Sequence, residues 1–172
     1  QALEDLKKIG YQVGTCVMIG LPHQTLEDLV QDLLFFKQID VDMVGMGPYL
    51  EHPHTPMGNW PSIPVAQRFQ LTMRMIATLR LMMKKVNIAA TTALQAIDPV
   101  GREKAIKVGA NILMPNITPL PYRAYYQLYQ GKPCLDEDGE QCLGCLDTRM
   151  KSINESIDWS HWGDSLHFAT RR

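Results

Sequence analysis

The sequence predicts an α/β fold in which about four βα units form half of a parallel (β/α)8 TIM-type barrel, followed by an irregular extension. Three observations predict it. Short apolar runs recur along the first two thirds of the chain, each is followed by a stretch of helical periodicity, and the alternation stops after Asn116. Strands alternating with helices at this spacing indicate βαβ units and a parallel sheet, with crossovers that are almost always right-handed. The chain opens at Gln1 inside a helical pattern, with no initiator Met and no apolar signal region. The expectation is therefore a cut end, with residues 1–116 as the C-terminal half of the barrel and residues 117–172 as the extension.

The elements follow in order. Leu3, Leu6 and Ile9 keep helical spacing, and Gly10 ends that helix before the run 13–19, which suits a strand buried on both faces. Thr25 is a natural N-cap with Asp28 at the third helical position, a variant of the capping box, and Leu29, Leu33 and Phe36 carry the apolar stripe to Ile39. A second strand is expected over 42–47, then a long Pro- and His-rich loop over 48–64 and a Met- and Leu-rich helix over 65–86. A third strand over 87–92, a helix over 101–108 and a fourth strand over 109–116 complete the four units. Beyond them lie a Pro- and Tyr-rich segment, three clustered cysteines, the acidic stretch 136–140 and a last helix over 146–158, spaced by Leu146, Met150, Ile153 and Ile157.

The composition narrows the function classes. With 172 residues the chain can bury a real core. A formal net charge of −1 without a basic stripe leaves nothing to neutralise phosphates, which argues against nucleic acid as a partner. No apolar run has transmembrane length, and a membrane surface is disfavoured as well. Three of the four cysteines, Cys134, Cys142 and Cys145, fall within twelve residues, while Cys16 stands apart. An odd cluster fits a reducing, cytoplasmic setting and a metal better than a disulfide framework.

In parallel barrels the site is built at the C-terminal ends of the strands. That rule selects Ile19 and Gly20, Met46 to Pro48, Thr91 and Thr92, and Met114 to Asn116. Gly45 and Gly47 would let a planar ligand approach the backbone, or would merely ease a turn. Thr91 and Thr92 offer hydroxyls to an anionic group, the alternative being β propensity and a helix cap. Met43, Met46 and Met114 fit a soft pocket or plain core filling. His52 and His54 lack a third ligand nearby and read as solvated loop histidines. A helical turn would put Tyr122, Tyr126 and Tyr129 on one face, either packed over the mouth or donating to a bound anion. Cys134-x7-Cys142-x2-Cys145 is the most specific local signal: two thiolates on one tight turn reach the same iron or zinc, and a third nearby competes with water. Loose surface thiols are the other reading.

The segment Val17-Met18-Ile19-Gly20-Leu21-Pro22-His23-Gln24-Thr25 resembles the strand-loop motif that helps form the adenine pocket of radical S-adenosylmethionine enzymes, with Gln24 where many relatives have Glu. Taken in order with 42–48, His52-Pro53-His54-Thr55-Pro56, Ala90-Thr91-Thr92-Ala93, Met114-Pro115-Asn116 and Pro121-Tyr122-Arg123-x-x-Tyr126-Gln127-Leu128-Tyr129, it resembles the HydE family of radical-SAM FeFe-hydrogenase maturases over nearly the whole chain. The resemblance implies a parent enzyme with a Cys-x3-Cys-x2-Cys loop holding a 4Fe–4S cluster, which is absent from this sequence. It implies reductive cleavage of S-adenosylmethionine and a small-molecule or organometallic substrate, a cysteine-bound iron carbonyl-cyanide precursor, in company with other hydrogenase maturases. By the same resemblance Ile19, Gly20, Met46, Gly47 and Pro48 lie near the adenosyl group, and Met43, Thr91, Thr92, Met114, Tyr126 and Tyr129 surround the substrate. Cys134, Cys142 and Cys145 look like ligands of an auxiliary Fe–S cluster, and no catalytic residue is assigned in this half.

Methylornithine synthase and biotin synthase share the barrel and cofactor, and a metal-binding scaffold without enzymatic activity is the reading from another class. The Tyr-rich block and cysteine triplet favour the maturase. Half a barrel would have open sheet edges, which self-association or a complementary half would cover. Radical chemistry needs an enclosed site, so the isolated chain is expected to be inactive.

Overall fold

Three of the four expected strands form one parallel sheet. The computed structural model of the chain describes residues 1–126, 128–129, 131–134, 136 and 138–171. Gln127 of the tyrosine motif and Glu137 of the acidic stretch therefore lie outside the described residues. After helix α1 (Ala2–Lys8) come β1 (Gly14–Ile19), α2 (Leu26–Ile39), β2 (Met43–Pro48), α3 (Val65–Met82) and β3 (Asn87–Ala90). The sheet order is β1-β2-β3, with Ile19 opposite Pro48 and Met46 opposite Ala90. The helices α4 (Thr92–Ile97), α5 (Gly101–Val108), α6 (Leu120–Arg123), α7 (Gly139–Ser152) and α8 (Leu166–Ala169) follow.

Period-two alternation decides which face of the sheet is covered. Ile19, Val44, Met46 and Ile88 join one core with Leu29, Leu33 and Phe36 of α2 and with Phe69, Met75, Ile76 and Leu79 of α3. The opposite face carries Cys16 and Met18, both exposed, beside Gly45 and Gly47. α2 begins at the expected capping box: Thr25 accepts from the backbone N–H of Asp28, and the Asp28 carboxylate accepts from the N–H of Thr25 at 2.8 Å. It ends at Asp40, whose left-handed backbone turns the chain into β2.

Three expectations are corrected. The fourth strand is a single parallel bridge, Ala89 with Ile112, rather than a strand over 109–116. The side chain of Asn111, not a main-chain carbonyl, accepts from the N–H of Ile88 at 2.8 Å, and Pro115 can donate nothing to a ladder. The last helix runs over Gly139–Ser152 instead of 146–158. A capping box between Asp138 and Gln141 starts it early, and Asn154 with positive φ lies just beyond its end. The tyrosines share no continuous helical face: α6 gives way to a 3-10 turn over 124–126, leaving Tyr122 and Tyr126 exposed while Tyr129 turns inward.

The C-terminal tail returns to the N-terminal ends of the strands. Gln12 accepts from the N–H of Ser165 at 2.6 Å, and Asn87 donates to the carbonyl of Gly163 at 2.9 Å. Arg171 donates to the buried carboxylate of Asp42. No helix among the described residues is long and apolar enough to cross a membrane.

Candidate functional site

The uncovered face of the sheet and the loops at the C-terminal strand ends enclose an open, mainly apolar cavity of about 650 Å3. Its floor is set by small residues: Gly45 and Gly47 of β2 and Ala90 of β3 expose backbone where larger side chains would fill the space. Gly47 is small for a further reason, since a Cβ there would sit 2.8 Å from Oγ1 of Thr91. That hydroxyl donates to the carbonyl of Met46 at 3.3 Å, tying the ends of β2 and β3 together. The opposite wall comes from the extension, through Leu128, Tyr129, Pro133 and Cys134.

Of the residues expected near an adenosyl group, Gly47 and Pro48 line this cavity. Ile19 and Met46 are fully buried and point into the helix-covered core. Their carbonyls are engaged as well, that of Ile19 by the N–H of Tyr49 at 2.8 Å and that of Met46 by Thr91. Gly20 has φ +84, which favours glycine, and a Cβ there would meet Cγ of Arg68 at 2.4 Å. Of the residues expected around a substrate, Thr91, Thr92, Met114 and Tyr129 line the cavity. Met43 begins β2 at the other end of the sheet, and Tyr126 is exposed outside.

Thr92 Oγ1 and the Tyr129 hydroxyl lie 2.9 Å apart, joining the strand end to the extension wall. Burial pushes the Tyr129 phenol above its ordinary pKa, so it stays a neutral donor.

Two buried arginines shape the site: Arg68 lies outside the motifs, and Arg123 stands within the tyrosine motif with no role assigned to it. Arg68 of α3, 2% exposed, donates from Nη1 to the carbonyl of Tyr49 at 2.8 Å and from Nη2 to Glu51 at 2.5 Å. It fixes the start of the loop 49–64, and its hydrogen bond to Glu51 holds that carboxyl at about 2. Arg123, also 2% exposed, donates to the carbonyls of Thr118, Asn116 and Cys134 at 2.7, 2.9 and 2.8 Å. It thereby shapes the wall that carries Cys134. A signal existed for Arg68: it lies on the same helical stripe as Phe69, Thr72, Met75, Ile76 and Leu79, where a guanidinium must be buried with its own acceptors.

Cys142 is buried on α7, its sulfur accepting from the N–H of Asn116 at 3.4 Å, and Cys145 follows one turn later. Cys134 and Cys142 both reach the cavity. Among the described residues, however, no three His, Cys, Asp or Glu side chains are grouped to hold a metal, whether at the cysteine triplet or at His52 and His54.

Over 148 residues the chain is 49% identical to the FeFe hydrogenase maturase subunit HydE of Thermotoga maritima. The chain is a homologue of HydE. The match covers 86% of this chain and 40% of the length of the HydE relative. No family model matches the chain. The parallel arrangement of β1, β2 and β3 and the position of the cavity at their C-terminal ends are consistent with part of the barrel of a radical-SAM enzyme.

Proposed function

We propose that this HydE homologue supplies the substrate cavity and part of the adenosyl pocket of a radical-SAM enzyme that matures the active site of FeFe hydrogenase. The observation that carries the reading is a large cavity at the C-terminal ends of parallel strands, in a chain 49% identical to a hydrogenase maturase. The sheet is one part of a (β/α)8 barrel, and its uncovered face, with Cys16, Met18, Gly45 and Gly47, is the barrel interior.

S-adenosylmethionine, with a reducing 4Fe–4S cluster, supplies hydrogen-abstracting radical chemistry when bound. The cluster's Cys-x3-Cys-x2-Cys loop is not in this sequence, so its ligands come from elsewhere. In this chain Gly47 and Pro48 line the cavity where a nucleoside approaches, while Ile19, Gly20 and Met46 do not line it and act only by holding the strand ends in place. Thr91, Thr92, Met114 and Tyr129 surround a small-molecule or organometallic substrate. The neutral Tyr129 phenol orients it by donation, and the apolar walls exclude water. Met43 and Tyr126 are not among the residues that line the cavity, so they are given no direct role here. The cysteine triplet takes no part in the proposal, and a reducing compartment and other hydrogenase maturases are its expected setting.

The test is anaerobic turnover of S-adenosylmethionine with iron, sulfide and dithionite present. The chain alone should form no 5′-deoxyadenosine. Adding in trans a polypeptide that carries the missing cluster loop should restore it, and Gly47→Val should abolish the restored activity. Turnover by the chain alone, or restored turnover indifferent to Gly47→Val, would remove the reading.

A further inference from the structure

Arg102 sits on the first turn of α5 and lines the end of the cavity nearest the cysteines, yet it is only 2% exposed. Its Nε and Nη2 are sealed from solvent and have no hydrogen-bond partner. Those two atoms carry the parallel N–H bonds on one edge of the guanidinium, the edge that matches both oxygens of a carboxylate. Among the described residues the charge partners of Arg102 are the thiols of Cys134 and Cys142 and the carboxylate of Glu103, and none of them hydrogen-bonds Nε or Nη2. The sulfur of Cys142 accepts from Asn116, and the carboxylate of Glu103 is engaged by Arg149 at 2.7 Å. Burial lowers the pKa of the Arg102 guanidinium and the positive charge of Arg149 adds to that, while Cys134, Cys142 and Glu103 oppose it without offsetting it. The contrast with Arg68 and Arg123 is informative, because those equally buried guanidiniums use Nε, Nη1 and Nη2 all as donors to carbonyl or side-chain oxygens. A buried cation with an idle fork beside a large cavity lacks an anion.

We propose that Arg102 is the anchor of an oxyanion subsite in this cavity, taking a carboxylate of a ligand with a compact apolar body on its Nε and Nη2 edge. The carboxylate is fixed by the fork, and the apolar body lies against Met114 and Leu128, both in the cavity lining. Thr92 and Tyr129, already joined to each other, stand on the same lining as further hydroxyl donors. The subsite stands whatever reaction the cavity serves, so it does not depend on the radical-SAM reading.

The experiment uses the full chain and propionate as the probe, with chloride at equal ionic strength as the control. The Arg102 Nε–H resonance, identified by its loss in Arg102→Lys, should shift and saturate with propionate and not with chloride. Arg102→Lys should bind propionate at least tenfold more weakly, whereas Arg149→Lys should bind within twofold of the unaltered chain. An Nε–H resonance unmoved by propionate, or equal binding by Arg102→Lys, would overturn the subsite. Should Arg102→Lys fail to fold, Arg102→Gln identifies the resonance and the titration of the unaltered chain decides.

Discussion

The two ends of the sheet are built on opposite principles. At the N-terminal ends, the start of each strand is tied to the returning tail: Gln12 before β1 to Ser165, Asp42 before β2 to Arg171, and Asn87 of β3 to Gly163. Asp40 adds Lys7 at 2.7 Å and His167 at 2.5 Å. At the C-terminal ends the strands open into a mainly apolar cavity whose polar groups are few, and one of them, Arg102, is unsatisfied. Asp42 Oδ1 and Arg171 Nε at the tied end also lack partners, so the difference lies in the space beside them: only Arg102 borders a large cavity, which leaves room for a ligand. On the proposed reading the difference separates a stabilising end from a binding end, the division that parallel barrels generally show.

The largest expected effect lies at the tied end. Asp42 is fully buried and accepts from the N–H of Val13 at 2.7 Å and from Arg171. Asp42→Ala strands both donors and loosens α8, and should cost about 3 kcal/mol. The denaturant midpoint checks this. A loss below about 1 kcal/mol would show that the tail does not hold the sheet.

Next comes Gly20→Ala, at the junction of the two regimes. A side chain there must adopt φ near +84 and push Arg68 off the strand end, for a cost of about 2 kcal/mol. Arg68→Ala in the same background removes Cγ and Cδ and should relieve most of the clash. A double-mutant cycle showing strict additivity would mean that the two residues do not meet.

The open end should be tolerant. Thr91→Val removes only a 3.3 Å hydrogen bond to Met46, so its stability cost should stay within about 1 kcal/mol while ligand affinity in the cavity falls. A loss as large as that of Asp42→Ala would erase the distinction between the ends.

Much of the scaffold was legible because its signals are local. Thr25 and Asp28 cap α2 as their spacing predicts, and the runs at 14–19, 43–48 and 87–90 become parallel strands. What failed depends on distant partners. Nothing in the residues around Asn111 reveals that its side chain replaces a strand carbonyl at Ile88, so the fourth strand was over-read. The site was legible as loops, through Gly47, Pro48, Thr91, Thr92, Met114 and Tyr129 on one cavity, because strand ends converge by topology. The inward direction of Ile19 and Met46 follows from alternation, which places both on the helix-covered face. Arg102 was passed over although it shares its helical face with Ala105 and Ile106, since burial of an arginine is visible only when its stripe is compared with the core.

The smallest effect concerns the loop that borders the cavity and depends on pH. Glu51 is held at about 2, below its ordinary 4.5, chiefly by the hydrogen bond from Arg68. A carboxyl with a depressed folded-state pKa stabilises the chain above its unfolded value and loses that contribution as pH falls through the folded one. The window therefore runs from about 4.5 down to about 2. Because Glu51 is partly solvent-exposed, screening keeps the gain small, and the effect should be local to the loop 49–64. The Arg68 side-chain N–H resonances should stay sharp at neutral pH and broaden across that window, whereas Glu51→Gln should make them insensitive to pH. If the resonances of the unaltered chain hold steady through the window, Arg68 is anchored without Glu51, by the carbonyls of Tyr49 and Ile63 and the hydroxyl of Ser62. The loop at the open end would then owe its order to uncharged acceptors, while the tied end rests on ion pairs.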